Sequence, residues 1–184
     1  GNDDYIVARF RREASTIASL EHPNIIKLFD YGEEGGRFLS VMEYVPGQHV
    51  EEWVKRYGGV PAIDEVIGIL DQVCRGVSAI HRAGTVHRDL KWTNVLVGPA
   101  FRVAVTDLGL ARILDRPRKP DNDTVSGTPA YMAPEIVLGT PIPSGMHERA
   151  DVYSLGVMAF EILTSHLPFE TPDADEMMRM HVRK

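Results

Sequence analysis

The 184-residue chain is long enough for one hydrophobic core, or one core plus a small lobe. Its 43% apolar and 25% charged residues have the balance of a soluble globular protein, and a formal net charge of −6 counts against a nucleic-acid partner, whose phosphates want a Lys/Arg surplus. A single cysteine, Cys74, excludes an intrachain disulfide framework and points to a reducing compartment, while no run of 18 apolar residues offers a membrane span and the first residues lack signal-peptide character.

The first predicted element is a helix over 6–20, where Ile6, Phe10, Ile17 and Leu20 recur at helical spacings and His22-Pro23 ends the pattern. Glu13 lies on or beside that apolar stripe. Two β-rich segments follow, 24–31 and 37–45, with a Gly32 to Gly36 turn between them. Pro46-Gly47 then breaks the chain, the joint between a small first lobe and a larger second one. A long helix over 63–83 is expected from Val66, Leu70, Val73, Val77 and Ile80, with Gly84 as its stop. On it, Cys74 is expected to be buried and inert.

Two short strands, 94–97 and 102–106, flank Gly98-Pro99-Ala100 and predict a hairpin, and 116–126 reads as an exposed polar loop. The segment 151–165 is apolar on nearly every face, the pattern of a helix enclosed by the core, and Pro168 ends it. Strands first and helices after give an α+β, two-lobed architecture. Antiparallel pairing about Pro99-Ala100 brings Asn94 within a residue or two of Asp107, so an amide oxygen and a carboxylate share one end of the hairpin. Hard cations such as Mg²⁺ take oxygen ligands of this kind, completed by substrate phosphates. Asp89, five residues before Asn94, faces the same opening.

The run His87-Arg88-Asp89-Leu90-Lys91-Trp92-Thr93-Asn94 resembles the catalytic loop of protein kinases at every defining position. Asp107-Leu108-Gly109 stands where that family has Asp-Phe-Gly, and Ala133-Pro134-Glu135 supplies its Ala-Pro-Glu element, all in the family's order. The resemblance implies a protein-kinase-like fold with a partial N-lobe over 1–45 and an incomplete, mainly helical C-lobe over 46–184. It implies ATP and Mg²⁺ as cofactors, with Asp89 as proton acceptor, Lys91 against the γ-phosphoryl group, and Asn94 and Asp107 as metal ligands. Glu13 would pair with a strand lysine. The backbone of Glu43 and Val45 would meet the adenine edge, over a floor made by Leu96 and Thr106. His87, Leu108, Ile17 and Leu28 would stack as an apolar spine. Asp151 is a simple N-cap or, by the match of 149–156 to the family, a brace for the catalytic loop's backbone.

Lys91 and the Gly127 to Tyr131 segment resemble serine/threonine kinases, with Thr128 near Asp89 and Lys91, and the 125–135 and 148–156 stretches look most like bacterial eukaryotic-like ones. Protein substrates with Ser/Thr acceptors, and autophosphorylation in trans, follow from the resemblance. Arg88 before Asp89 implies activation by loop phosphorylation at Thr124, or secondarily Ser126, with Arg88, Arg112 and Arg9 receiving the phosphate. The segment would be cytoplasmic, or the cytoplasmic part of a membrane-anchored protein.

Neither a Gly-x-Gly-x-x-Gly nor a Val-Ala-Ile-Lys pattern occurs in the sequence. The resemblance therefore implies a domain cut short at both ends, transferring phosphate poorly by itself. A scaffold that uses the fold only for binding is the alternative, against which the intact Asp89, Lys91, Asn94 and Asp107 weigh. A small-molecule kinase of the aminoglycoside-phosphotransferase type is a third reading, and the 127–135 segment argues against it.

Overall fold

The computed structural model describes residues 15–34, 37–108, 128–143 and 145–183. Residues 15–18 are helical and bury Ile17, and the helix ends before His22-Pro23, as the sequence predicts. Strands β1 (Leu28–Glu34) and β2 (Arg37–Met42) pair antiparallel from Leu28↔Met42 to Glu34↔Arg37. Gly32 thus belongs to a strand, opposite Leu39, and not to the expected turn.

The start of the first predicted strand is corrected too. Residues 24–26 leave the strand pair and run beside the second sheet. Ile25 bridges Val105 in parallel, Val105 N–H donates to Asn24 O at 2.9 Å, and Ile26 N–H donates to Val105 O at 2.9 Å. The Asn24 side chain donates to Val103 O at 2.7 Å and to Gln72 Oε1 at 2.9 Å. Its backbone carbonyl is satisfied by the larger body and its N–H by His22 Nδ1 at 3.1 Å, as buried backbone requires.

That second sheet has the order β3-β4-β5, from β3 (Gln48–His49), β4 (Val95–Val97) and β5 (Val103–Val105). The hairpin β4-β5 was legible; β3 was not, because two residues leave no alternation to read. Helix α1 (Val50–Lys55) follows at once and is likewise too short for a periodic signal. Helix α2 (Ile63–Arg82) matches its predicted span and closes on Gly84 at φ 74°, a left-handed position that glycine takes without strain. Its buried stripe is Val66, Ile69, Val73, Val77 and Ile80; Ile69 takes the place expected of Leu70, which is half-buried. Cys74 points the other way and is exposed, which corrects the expected buried position.

Helices α3 (Pro134–Val137), α4 (Glu148–Thr164) and α5 (Ala174–Arg183) complete the described elements. Helix α4 buries Val157, Met158 and Ile162, but Val152 is 59% and Leu163 44% exposed. The expectation of an all-round buried helix is therefore wrong: composition records how apolar a helix is, not how many neighbours surround it. Helix α5 begins after Asp173, whose carboxylate accepts the Glu176 N–H at 2.9 Å, an N-cap.

One core joins the parts. Ile17, Leu28 and Leu108 share a buried cluster with Val73, Val77, Leu90, Trp92, Val95 and Met158. Three of the four predicted spine residues thus meet, and the fourth, His87, is fully buried. Trp92 is buried in the same cluster, with its indole N–H donated to Met158 O at 3.1 Å. That bond gives the bulky residue a structural reason to stand in the loop.

Candidate active site

The loop between α2 and β4 is held from behind by one carboxylate. Asp151, on the first turns of α4 and 1% exposed, accepts His87 N–H (Oδ2, 2.8 Å) and Arg88 N–H (Oδ1, 2.8 Å). His81 Nε2 lies 2.8 Å from the same Oδ2. These bonds hold the Asp151 carboxyl below its ordinary range against the opposing effect of burial. The brace wins over the N-cap reading, since Asp151 lies inside α4 and its oxygens face another segment. His81 is a site-supporting residue that sequence reasoning missed. Its signal was present, one helical turn beyond Val77, but a histidine beside an apolar stripe names no partner.

Arg88 takes φ 69°, a left-handed conformation uncommon outside glycine, and Asp107 takes φ 57°. His87 is completely buried, and burial pushes its pKa down, opposed by the carboxylates of Asp151, Asp89 and Asp107 nearby. Its Nε2 donates to Thr106 O at 2.9 Å and its Nδ1 accepts Asp89 N–H at 3.2 Å. The two contacts assign a neutral ring with the proton on Nε2. They clamp the loop to the residue that precedes Asp107.

In front of this support the polar side chains converge. Asn94 Nδ2 donates to Asp89 O at 2.8 Å and approaches Asp89 Oδ2 at 3.4 Å. Lys91 Nζ stands 3.1 Å from Asp89 Oδ2 and donates to Thr128 Oγ1 at 3.0 Å. Thr128 in turn donates to Asp89 Oδ1 at 3.1 Å. Pairing of Val95 with Val105 extends one step further, where Thr106 N–H donates to Asn94 O at 2.9 Å. Asp107 follows directly and is exposed. Asp89, Lys91, Asn94 and Thr128 thus form one network. Asn94 Nδ2 is thus committed to Asp89.

Val45 is buried with Ile26 and Ala104, and Leu96 packs on that cluster. Glu43 N–H donates to Lys27 O at 2.8 Å. The Glu43 carboxylate turns away to Arg102, which grips it with two nitrogens and also donates from Nε to Pro23 O at 2.8 Å. Arg102 holds the Glu43 carboxyl below its ordinary range. This tie was not foreseen. Glu13, Arg9, Arg112, Thr124 and Ser126 lie outside the described residues. Among the described residues, no cluster of three or more His, Cys, Asp or Glu side chains is placed to hold a metal ion.

The family model for the protein kinase domain matches residues 2–184. This chain belongs to the protein kinase domain family. As a kinase domain it is 34% identical over 182 residues to the serine/threonine-protein kinase PrkC of Bacillus subtilis, covering 99% of this chain and 27% of that protein. It is 36% identical over 188 residues to the serine/threonine-protein kinase PknA of Mycobacterium tuberculosis, covering 100% of this chain and 42% of PknA. Among solved structures, Rad53 1-466 in complex with AMP-PNP superposes on the kinase domain with a TM-score of 0.75 at 30% identity, over 95% of this chain and 42% of that one. The chain thus spans well under half the length of these relatives. No described helix of the kinase domain is long and apolar enough to cross a membrane.

Proposed function

We propose that this domain transfers the γ-phosphoryl group of ATP to serine or threonine hydroxyls of protein substrates. The observation that carries the reading is the single network in which Asp89 is held by Lys91, Asn94 and Thr128. In it Asp89 accepts the proton of the attacking hydroxyl as the new O–P bond forms and the bond to the bridging oxygen breaks. Lys91, against Asp89 and Thr128, sets a positive charge where negative charge accumulates. The donor set fits Mg²⁺: the Asn94 amide oxygen and the exposed carboxylate of Asp107, the residue after the Thr106 N–H that Asn94 O accepts, are hard ligands, too few for a self-contained cage and suited to sharing a cation with phosphates. When bound, the ion supplies charge neutralisation at the phosphate oxygens.

Support for ATP comes from the apolar cluster of Ile26, Val45 and Ala104, on which Leu96 packs, directly beyond the Glu43 segment. Support for serine and threonine comes from Thr128, whose hydroxyl closes the space beside Asp89, and from the relatives' names. We further propose that phospho-Thr124, or phospho-Ser126, is received by Arg88 and Arg112 and orders the loop, with autophosphorylation in trans as its source. The lone cysteine favours a cytoplasmic setting.

The test is Asp89→Asn in the intact kinase that carries this domain. Phosphate incorporation into protein is expected to fall by about three orders of magnitude, with nucleotide binding retained. Undiminished transfer by the variant would overturn the reading.

A further inference from the structure

The short turn 129–131 directly follows Thr128, which touches Asp89, so its placement decides whether Thr128 stays on the base. Two ties to α4 hold this turn: Tyr131 Oη donates to Glu161 at 2.6 Å, and Ser154 Oγ donates to Tyr131 O at 2.7 Å. Both act on Tyr131, at the far end from Thr128. What holds the near end comes from α5, which packs on the turn.

His181, on the last turn of α5, is only 4% exposed. Its Nδ1 lies 2.6 Å from Tyr153 Oη on α4, and its ring meets Phe169 edge-on at 4.9 Å and Tyr153 at 5.6 Å. The ring faces the backbone carbonyls of Ala130 and Pro129, while its Nε2 is buried without a hydrogen-bond partner. Burial keeps the imidazole below its ordinary pKa, so it carries one proton at neutral pH. Carbonyls only accept. With Nδ1 engaged by the Tyr153 hydroxyl, Nε2 is the nitrogen left to answer them, and a bond from an Nε2–H to either carbonyl offsets the cost of an otherwise orphaned buried polar atom.

We propose that His181 is a positioning residue that clamps the 129–131 turn onto α5 through an Nε2–H directed at the Ala130 and Pro129 carbonyls, so that Thr128 keeps its bonds to Asp89 and Lys91. Its value for phosphoryl transfer rests on the kinase reading; the clamp itself does not. The test therefore begins with hydrogen exchange on the 184-residue chain. The amides to follow are Tyr131 and Met132, which donate to Thr128 O at 3.0 Å and to Pro129 O at 3.3 Å.

His181→Phe, which keeps a ring against Phe169, is expected to speed exchange at these two amides about tenfold relative to amides within α4. His181→Gln, which restores an N–H donor, is expected to recover most of the protection. In the unmodified protein, nitrogen-15 spectra of His181 are expected to show the proton on Nε2. In the intact kinase, His181→Phe is expected to raise the KM for a protein substrate several-fold and leave the KM for ATP unchanged. Unchanged exchange at Tyr131 and Met132, equal acceleration across α4, or a proton found on Nδ1 would each overturn the clamp. An unchanged substrate KM in an active Phe variant would overturn its role in transfer.

Discussion

Asp151 is where a single atom change carries the most information. Both its oxygens are acceptors for backbone N–H groups of the catalytic loop, inside a site almost closed to water. Asp151→Asn replaces one acceptor with a donor facing a donor, and leaves a buried N–H unpaired. The expected loss is about 3 kcal/mol of folding stability, read from urea denaturation. A loss under about 0.5 kcal/mol, the range of surface changes, would count against the brace. Three histidines at separate places set the response to acid. His22, His87 and His181 are all held below the ordinary histidine value of 6.5, chiefly by burial. Above pH 6.5 both folded and unfolded chains keep them neutral, and no stability depends on them. Below it the unfolded chain takes protons that the fold refuses, so stability falls as pH falls toward the lower folded values. Asp151, lowered from 3.8, adds a loss at lower pH still. The urea midpoint is therefore expected to be lower at pH 5.5 than at 7.5; an equal or higher midpoint would contradict these burial arguments. Asp89, Lys91, Asn94 and Asp107 could be named as candidates from the sequence because their types and spacing repeat a known pattern. His81 and Arg102 were not, because their partners lie 70 and 59 positions away along the chain.

At the scale of elements, Gly76 decides how closely α2 approaches the segment 24–26. A Cβ there would sit 2.5 Å from Asn24 O, a backbone atom that cannot swing aside. Gly→Ala in a helix ordinarily gains about 1 kcal/mol, but overpacking against backbone costs about 1–3 kcal/mol, so the clash wins. Gly76→Ala is expected to lower the urea midpoint without changing the m-value, and a raised midpoint would show that the contact is slack. The long helix and the β4-β5 hairpin were readable because each carries its own periodicity and its own punctuation in Gly84 and Pro99. Strand β3 and helix α1 escaped notice, being too short to show a period. The strand start at 24 was misplaced for a different reason. Asn24 to Ile26 continue the β-rich composition of the segment, yet Asn24 O and Ile26 N–H bond to Val105, a partner that local propensity does not see.

For the whole molecule, the tie between the strand pair and the larger body runs through Glu43 and Arg102, which also holds Pro23. Their side chains are 26% and 32% exposed, so solvent weakens the pair, and a double-mutant cycle is expected to give a coupling of about 1 kcal/mol. Zero coupling would mean that this ion pair contributes nothing to holding the two parts together. The chain by itself, whose sequence contains neither a Gly-rich loop nor a Val-Ala-Ile-Lys strand, is expected to incorporate little phosphate; Asp89-dependent turnover by the purified 184 residues would refute that. By itself the sequence determined the family and the α+β order of elements, because motif identity and local periodicity are written in neighbouring residues. Only the tertiary structure decided which carboxylate braces the loop, where Asn24 finds its partners, which side of α4 is buried, and that His181 reaches the turn beside Thr128. Those outcomes depend on buried donors and acceptors meeting across long stretches of chain, and a linear pattern carries no record of such meetings.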